Sequence, residues 1–551
     1  MPTGLGTSWR PPDRSVPLCD LTVGALLRAT VAAHGEALAL AGVPEDGGPR
    51  RLWTYTALLA EAERVAAGIR DRVPLGSRVA LWAPNIPEWP IFEYAAALAG
   101  VTLVTLNPTL RAEELTHALR VSAPEMLVHA DRSRDYDMAA VVREVTAALP
   151  ELRHVVSLGA WESLKGTAPL PSDEEITAAG VPAQMQFTSG TTGAPKAVLL
   201  SHRAVVNVSR FTFAGLGVRE GSNVVSPLPM FHTAGCVISC LGPLWSGGTF
   251  TLLERFSPKL LLDTLRETPG SVLTSVPTVL AALNEVAGED TDRPVLSAVL
   301  TGAAPVRARL IGETEELFST TVFNLYGQTE LASVLTLTRP DDSARSKTST
   351  VGRPLPHAEV KIVDPRSGAV QPLGVQGEIC ARGYQQMLAY HGDPEATARK
   401  VDADGWLHTG DLGSMDATGT LRIDGRLNEI IIRGGENISP VAVEEVLCTA
   451  GTVAEAVVVG VPDERWGEVV AAVLRPAPGA RIDLTELVAL CRERMSPHKI
   501  PARWFLAEQF PLTASGKIQK FRVRETVAEG GYRPLGTEPP AAVRTSSPGA
   551  I

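Results

Sequence analysis

The sequence predicts an α/β fold, with a large N-terminal domain of parallel and mixed sheets layered with helices and a small α+β domain after it. Three observations carry that prediction. A chain of 551 residues exceeds what one ordinary hydrophobic core serves, so two or more domains are expected. Up to about residue 410, short apolar runs of strand character alternate with helical stretches, as in parallel sheets covered by helices. Beyond that point the texture changes to short strands and helices of a smaller unit.

Residues 1–20, rich in Pro and Gly, read as a flexible arm. Residues 21–34 carry apolar side chains at helical spacing. Val79-Ala80-Leu81-Trp82 is an apolar run ending at Ala83-Pro84-Asn85, a strand followed by a turn. The Ala-rich stretch 93–99 reads as a helix stopped by Gly100, and 101–106 as the next strand. The strand signal recurs at 126–129, 155–158, 197–200, 272–275 and 298–300. In the small unit, strand-like runs at 421–423, 430–432, 457–461 and 469–474 accompany helical patterns at 440–449 and 484–495. The expected boundaries are an arm at 1–20, a large domain at 21–427, a small domain at 428–530 and a disordered tail at 531–551, where Pro, Ala and Ser dominate.

Composition excludes several classes of function. The formal charge is −10, from 51 basic and 61 acidic residues, with no long basic run. Binding nucleic acid through phosphate neutralisation is not expected. The six cysteines, Cys19, Cys236, Cys240, Cys380, Cys448 and Cys491, form no CxxC pair and no disulfide framework. No stretch approaches the ~20 apolar residues of a membrane span, and the N-terminus lacks the apolar core of a signal peptide. A soluble, cytoplasmic protein is the expectation; the sequence leaves its oligomeric state open.

The densest chemical signal is Thr188-Ser189-Gly190-Thr191-Thr192-Gly193-Ala194-Pro195-Lys196, with four hydroxyls, two glycines and a lysine in nine residues. Glycines let successive backbone N–H groups face an anion, hydroxyls add donors, and Lys196 adds charge. Together these are the donors a polyphosphate requires. The Walker pattern does not fit, because no lysine directly follows Gly193. A polar turn between strands is the bland alternative, and the density of donors argues against it.

This loop resembles the phosphate loop of the adenylate-forming superfamily of acyl-CoA synthetases, peptide-synthetase adenylation domains and luciferases. Further motifs follow in the family's order. Tyr326-Gly327-Gln328-Thr329-Glu330 resembles the YGxTE element. The resemblance implies that the Tyr326 ring stacks on adenine, Thr329 donates to the α-phosphate, and Glu330, with Thr191, holds Mg²⁺ as a hard oxygen ligand. Thr301-Gly302-Ala303-Ala304-Pro305 resembles the adenine-cradling turn, and Asn324 is placed to pair with the adenine edge. Thr409-Gly410-Asp411 resembles the ribose-binding motif, in which a carboxylate accepts from two vicinal hydroxyls.

Arg426, Asn428, Gly434 and Gly435 lie in segments that resemble the hinge and the start of a mobile C-terminal domain. The family usually has Asp or Lys at the hinge; here it is Asn428, which tolerates unusual backbone angles. Pro511-Leu512-Thr513-Ala514-Ser515-Gly516-Lys517 resembles the late catalytic-lysine loop, with Lys517 stabilising charge during adenylation.

The reaction implied is attack of a carboxylate on the α-phosphate of ATP, giving acyl-AMP and pyrophosphate, then thiol attack by coenzyme A. Pro229-Met230-Phe231-His232-Thr233-Ala234-Gly235 resembles the segment between acyl pocket and thiol tunnel, with His232 as gate or orienting group. No acidic residue occurs between Pro227 and Thr251. A buried ammonium there would lack a counter-charge, so a small carboxylic acid without an α-amino group is expected. Two alternatives stand beside this reading: transfer to a separate acyl carrier protein or another nucleophile, and a non-catalytic scaffold on the same fold.

Overall fold

The protein is described by a computed structural model covering residues 5–149, 151–188, 195–304, 306–434, 436–512 and 518–537. Three sheets build the large domain. The first runs in the spatial order Ala389–Tyr390, Lys196–Leu200, Gln184–Thr188, Thr102–Leu106, Arg78–Trp82, Met126–His129, His154–Ser157. From Gln184–Thr188 onward its pairs are parallel, and Lys196–Leu200 turns back antiparallel on Gln184–Thr188.

The second sheet runs Arg353–Pro354, Thr336–Leu337, Val322–Tyr326, Ala298–Gly302, Val272–Thr274, Val224–Ser226, Phe250–Leu253, Leu38–Val43, Arg51–Thr54. Its six central strands are parallel, and antiparallel strands close both edges. Strands buried on both faces read as continuous apolar runs, which is why 79–82, 126–129 and 298–300 are visible in the sequence. Helices Glu88–Ala99 and His202–Leu216 pack in a large core that joins these two sheets and reaches the third, with Trp82, Trp89 and Phe92 inaccessible to solvent. Val225, Leu273, Val299 and Val322 point to the opposite face of the second sheet, into a separate core under helices Pro258–Glu267, Pro277–Gly288 and Ala308–Phe318.

The third sheet is antiparallel throughout: Trp9–Arg10, Glu359–Val363, Gly377–Arg382, Leu407–Met415, Leu421–Arg426. It corrects the expectation of a flexible arm from residue 5 to residue 20; residues 1–4 lie outside the described residues. Trp9–Arg10 adds a strand to this sheet, the Ser8 hydroxyl donates to the Pro372 carbonyl at 2.8 Å, and the Trp9 indole packs edge-on against Trp406. Cys19 exchanges both backbone bonds with the Asn207 side-chain amide, at 2.8 and 2.7 Å. Composition alone marks a Pro/Gly-rich segment as irregular and says nothing of the partners that pin it.

In the small domain, Glu436–Ile438, Ile431–Arg433, Gly467–Pro476, Arg503–Leu506 and Arg533–Thr537 pair in that order, and Val453–Asp463 forms a long hairpin with Gly467–Pro476. Helices Pro440–Leu447 and Leu484–Arg494 cover one face and Lys520–Ala528 the other. The tail expected at 531–551 is corrected in its first part. Arg533–Thr537 is an edge strand, with Leu506 opposite Arg533 and Arg503 opposite Thr537. Among the described residues no helix is long and apolar enough to cross a membrane.

Candidate active site

The parallel strands Ala298–Gly302 and Val322–Tyr326 end side by side, with Thr301 opposite Asn324 and Gly302 opposite Leu325. Carboxyl ends of parallel strands are where α/β sheets bind ligands. Gly302 is glycine for a steric reason. A Cβ there would lie 2.4 Å from the Leu325 carbonyl oxygen. Ala303 follows with φ +64°, a left-handed conformation that costs a residue bearing a Cβ, so this turn is held by its surroundings. Ala303 and Ala304 are partly exposed beside it. Asn324 is buried, and its amide donates to the Thr350 carbonyl at 3.1 Å.

After Tyr326 and Gly327 the chain folds back on itself. Ser333 N donates to the Gln328 carbonyl at 3.2 Å and Leu335 N to the Tyr326 carbonyl at 2.8 Å. The turn needs left-handed backbone at Ala332 (φ +51°) and Ser333 (φ +103°). Thr329 and Glu330 are thereby buried, and Glu330 is tied through its carbonyl to Met387 N at 2.8 Å.

Asp411 comes from the third sheet, directly opposite Arg426 in the pairing of Leu407–Met415 with Leu421–Arg426. Tyr326 Oη donates to Asp411 Oδ2 at 2.7 Å, and Arg426 Nε lies 3.1 Å from Oδ1. Burial first, and then the charge of Asp411, push the Tyr326 hydroxyl well above its ordinary range, so it stays a donor. Burial opposes the Arg426 charge, but Asp411 and then Glu429 outweigh it and its pKa rises. A carboxylate offers about four acceptor sites. Tyr326 and Arg426 take one on each oxygen, and a pair remains for a vicinal diol.

A second layer holds this carboxylate's loop. Glu378 accepts from Gly410 N at 3.0 Å and contacts His408 Nδ1 at 2.8 Å, while His408 Nε2 lies 3.4 Å from Asp402. Glu378, Cys380 and His408 bring possible ligand atoms within 4.8 Å of one another. Both Glu378 oxygens already serve the loop, and burial first lifts the Cys380 thiol to about 12, so the cluster reads as a brace. The Thr409 carbonyl accepts from Lys400 Nζ at 3.0 Å and from Gln328 Nε2 at 3.4 Å.

On the other side, Lys196 Nζ stands 4.9 Å from the centre of the Tyr390 ring, and Tyr390 Oη donates to Glu330 Oε1 at 2.7 Å. Lys196, expected to close a phosphate loop, and Glu330, expected to hold a cation, therefore flank one tyrosine. Thr188 pairs with Lys196 in the strand register. Ser189, Gly190, Thr191, Thr192 and Gly193 lie outside the described residues, as do Gly435 and Lys517. The second Glu330 oxygen is a hard donor of the kind Mg²⁺ takes, so the residues present fit that ion.

His232 precedes a π-helical turn, Ala234–Cys240. Such turns are rare overall and frequent at functional sites. His232 Nδ1 accepts from Ala234 N at 3.3 Å, which puts the ring proton on Nε2. Beneath it, Cys236 turns inward to Gln184 and Gln186. Glu93, bonded to Gln184, is the nearby acid of this inner layer, and burial drives its carboxyl well above the usual range. A neutral acid gives no counter-charge to an ammonium.

The structure thus gathers Lys196, Gly302, Ala303, Ala304, Asn324, Tyr326, Gln328, Thr329, Glu330, Asp411 and Arg426 about the ends of these strands and their neighbours. Gly434 sits apart in the hairpin of the small domain, packed on Trp466. Sequence reasoning missed Tyr390, Glu378 and Lys400. A tyrosine and a lysine at either end of the segment leading into Thr409-Gly410-Asp411, and a glutamate in the strand Gly377–Arg382, have no chemical texture of their own.

Known proteins resemble this chain over most of its length. Human mitochondrial medium-chain acyl-CoA ligase ACSF2 is 32% identical, across 92% of this chain and 87% of that protein. The structure of ATP-bound MatB from Rhodopseudomonas palustris superposes with a TM-score of 0.81 at 27% identity, covering 92% of this chain and 98% of that one. The o-succinylbenzoate CoA synthetase MenE of Bacillus subtilis, in complex with its acyl-adenylate intermediate, gives 0.77 at 28%, over 91% and 97% of the two chains. The sequence profile of the AMP-binding enzymes matches residues 27–391 and that of their C-terminal domain residues 442–517, and the chain belongs to the AMP-binding enzyme family.

Proposed function

We propose that the protein is an ATP-dependent carboxylic acid–CoA ligase, which forms an acyl-adenylate and pyrophosphate and then an acyl-CoA and AMP. The observation that carries this is the Asp411 carboxylate, held by Tyr326 and Arg426 with acceptor capacity to spare, beside the turn at Gly302 and the pair Lys196 and Glu330 about Tyr390. Ribose, adenine and phosphate then have adjoining places. The likeness to ACSF2, and to MatB and MenE carrying ATP and an acyl-adenylate, supports the same reading.

A carboxylate cannot expel oxide, so the acid first attacks the α-phosphorus and pyrophosphate leaves. Thr329, adjacent to Glu330, is the donor assigned to the α-phosphate, and Lys196 with residues 189–193 holds the leaving group. Bound Mg²⁺ at Glu330, with Thr191, would neutralise phosphate charge. Lys517 offsets the repulsion between two anions as they meet. Thiol attack on the acyl carbon then releases AMP, with His232 between acyl site and thiol route. The absence of acidic residues from 227 to 251, and the neutral state of Glu93, favour an acid without an α-amino group. The protein's chemistry is positioning and electrostatics, with no covalent enzyme intermediate.

The test is ATP–pyrophosphate exchange over a panel of aliphatic and aromatic acids, then AMP release on adding free CoA. Acid-dependent exchange and stoichiometric AMP with CoA are expected. No exchange with any acid would leave a scaffold. Exchange without CoA-dependent release would move the acceptor to a carrier protein.

A further inference from the structure

Lys400 ends the helix Pro394–Lys400 next to Arg399, and a pair of basic residues in a last turn ordinarily serves the helix dipole from solvent. Arg399 does so: it is 68% exposed, with Glu395 one turn back at 3.7 Å. Lys400 turns the other way. Its ammonium reaches the Thr409 carbonyl at 3.0 Å, the same oxygen that accepts from Gln328 at 3.4 Å. One carbonyl thus joins the 328–330 turn to the 409–411 loop, and Lys400 is its charged donor.

The helix is itself keyed to the site. Tyr390 N donates to Thr397 Oγ1 at 3.0 Å, and the hydroxyl of the same tyrosine holds Glu330. The charges bearing on Lys400 are Glu330, Asp411 and Glu378, which attract it, and Arg426, which repels it; burial lowers its pKa and dominates.

We propose that Lys400 is a further residue of the nucleotide site, which positions the ribose loop through Thr409 and supplies the positive charge that lets Glu330 and Asp411 face a polyanion. It acts through these neighbours and is a positioning residue. The proposal rests on the reading of this site as an ATP site. Its charge has opposite consequences for the two partners of that site. It favours the nucleotide's phosphates and opposes a divalent cation at Glu330.

Calorimetric titration of the full-length protein with AMP, which needs no metal, is the first test, on wild type, Lys400→Met and Lys400→Arg. Lys400→Met should weaken AMP on the order of tenfold, the effect of one nearby charge at the effective dielectric of a protein surface. Lys400→Arg should recover most of that loss. In pyrophosphate exchange at saturating ATP, Lys400→Met should reach half-activity at a lower Mg²⁺ concentration than wild type. Unchanged AMP affinity in Lys400→Met would overturn the inference, as would a loss that Lys400→Arg does not repair or a rise in the Mg²⁺ requirement. If wild type binds neither AMP nor ATP, the ATP-site reading itself falls. If wild type binds, Asp411→Ala does not and Lys400→Met binds as wild type, only this inference falls.

Discussion

Asp411 is nearly inaccessible, and its carboxylate is divided between Tyr326 and Arg426. Two substitutions separate its own role from its support. Asp411→Ala removes the acceptor of the ribose hydroxyls and strands the half-buried Tyr326 hydroxyl. A hydrogen bond to a charged group contributes about 1.5–3 kcal/mol, so KM for ATP should rise at least about tenfold. Tyr326→Phe keeps the carboxylate and ring and loses one bond, so its KM should rise by a smaller factor. Equal ATP dependence of wild type and Asp411→Ala in steady-state exchange would remove Asp411 from the site. At this scale the sequence is legible where a residue's chemistry is marked by its neighbours, as in Tyr326-Gly327-Gln328-Thr329-Glu330. It is silent where the partner is distant. Tyr390 and Glu330 are 60 residues apart and meet only because the Ala389–Tyr390 strand lies on the edge of the first sheet.

The helix His202–Leu216 begins with a buried histidine whose Nδ1 accepts from Val23 N at 3.2 Å, an orphan donor at the start of helix Val23–His34. Burial first, against a smaller opposing effect of Asp173, pushes this imidazole down to about 4. Between that value and the ordinary 6.5 the unfolded chain takes up a proton that the folded one refuses. The contribution to stability is therefore complete above pH 6.5 and declines as pH falls toward 4, by on the order of 3 kcal/mol in all. His202→Asn keeps an acceptor and removes the titration, so its melting temperature should fall less between pH 7 and pH 5 than that of wild type. Parallel declines would show that acid acts elsewhere. Elements such as these are readable from sequence when they are buried on both sides or strongly amphipathic. The Glu359–Val363 and Gly377–Arg382 strands escaped notice because runs of five or six residues, broken by Glu and Lys in one and bounded by Glu and Arg in the other, resemble loop. The Trp9–Arg10 strand is too short to have any period at all.

Between the large and small domains the described links include Ser439 Oγ to the Asp424 carbonyl, Arg307 to the Ala454 carbonyl and Arg422 to Glu445 at 3.8 Å. Such polar links can be exchanged, and relative motion is the ordinary expectation for domains joined this way. Asn428 lies in the short turn Leu427–Glu429 without left-handed backbone. If the small domain turns there, Lys517 serves adenylation only. Lys517→Ala should abolish most acyl-adenylate formation and leave thioester formation from supplied acyl-AMP and CoA nearly intact. Gly434→Trp should show the reverse, by filling the space a pantetheine arm would need, with the fold checked by circular dichroism because a Cβ at that position stands 2.8 Å from Trp466. Single-turnover measurement of each half-reaction decides it; equal loss of both in folded Lys517→Ala would rule out division of labour.

The strand Trp9–Arg10 closes one side of the sheet whose far side carries Asp411 and Arg426. Deleting residues 1–10 would leave Glu359–Val363 with unpaired backbone groups and strip Trp406 of its aromatic neighbour. An uncovered strand is a template for a second chain. The shortened protein should therefore self-associate as its concentration rises, which sedimentation would detect, well before its catalytic groups are disturbed. A two-residue strand with no chemistry of its own would thus keep one copy of the chain from pairing with another.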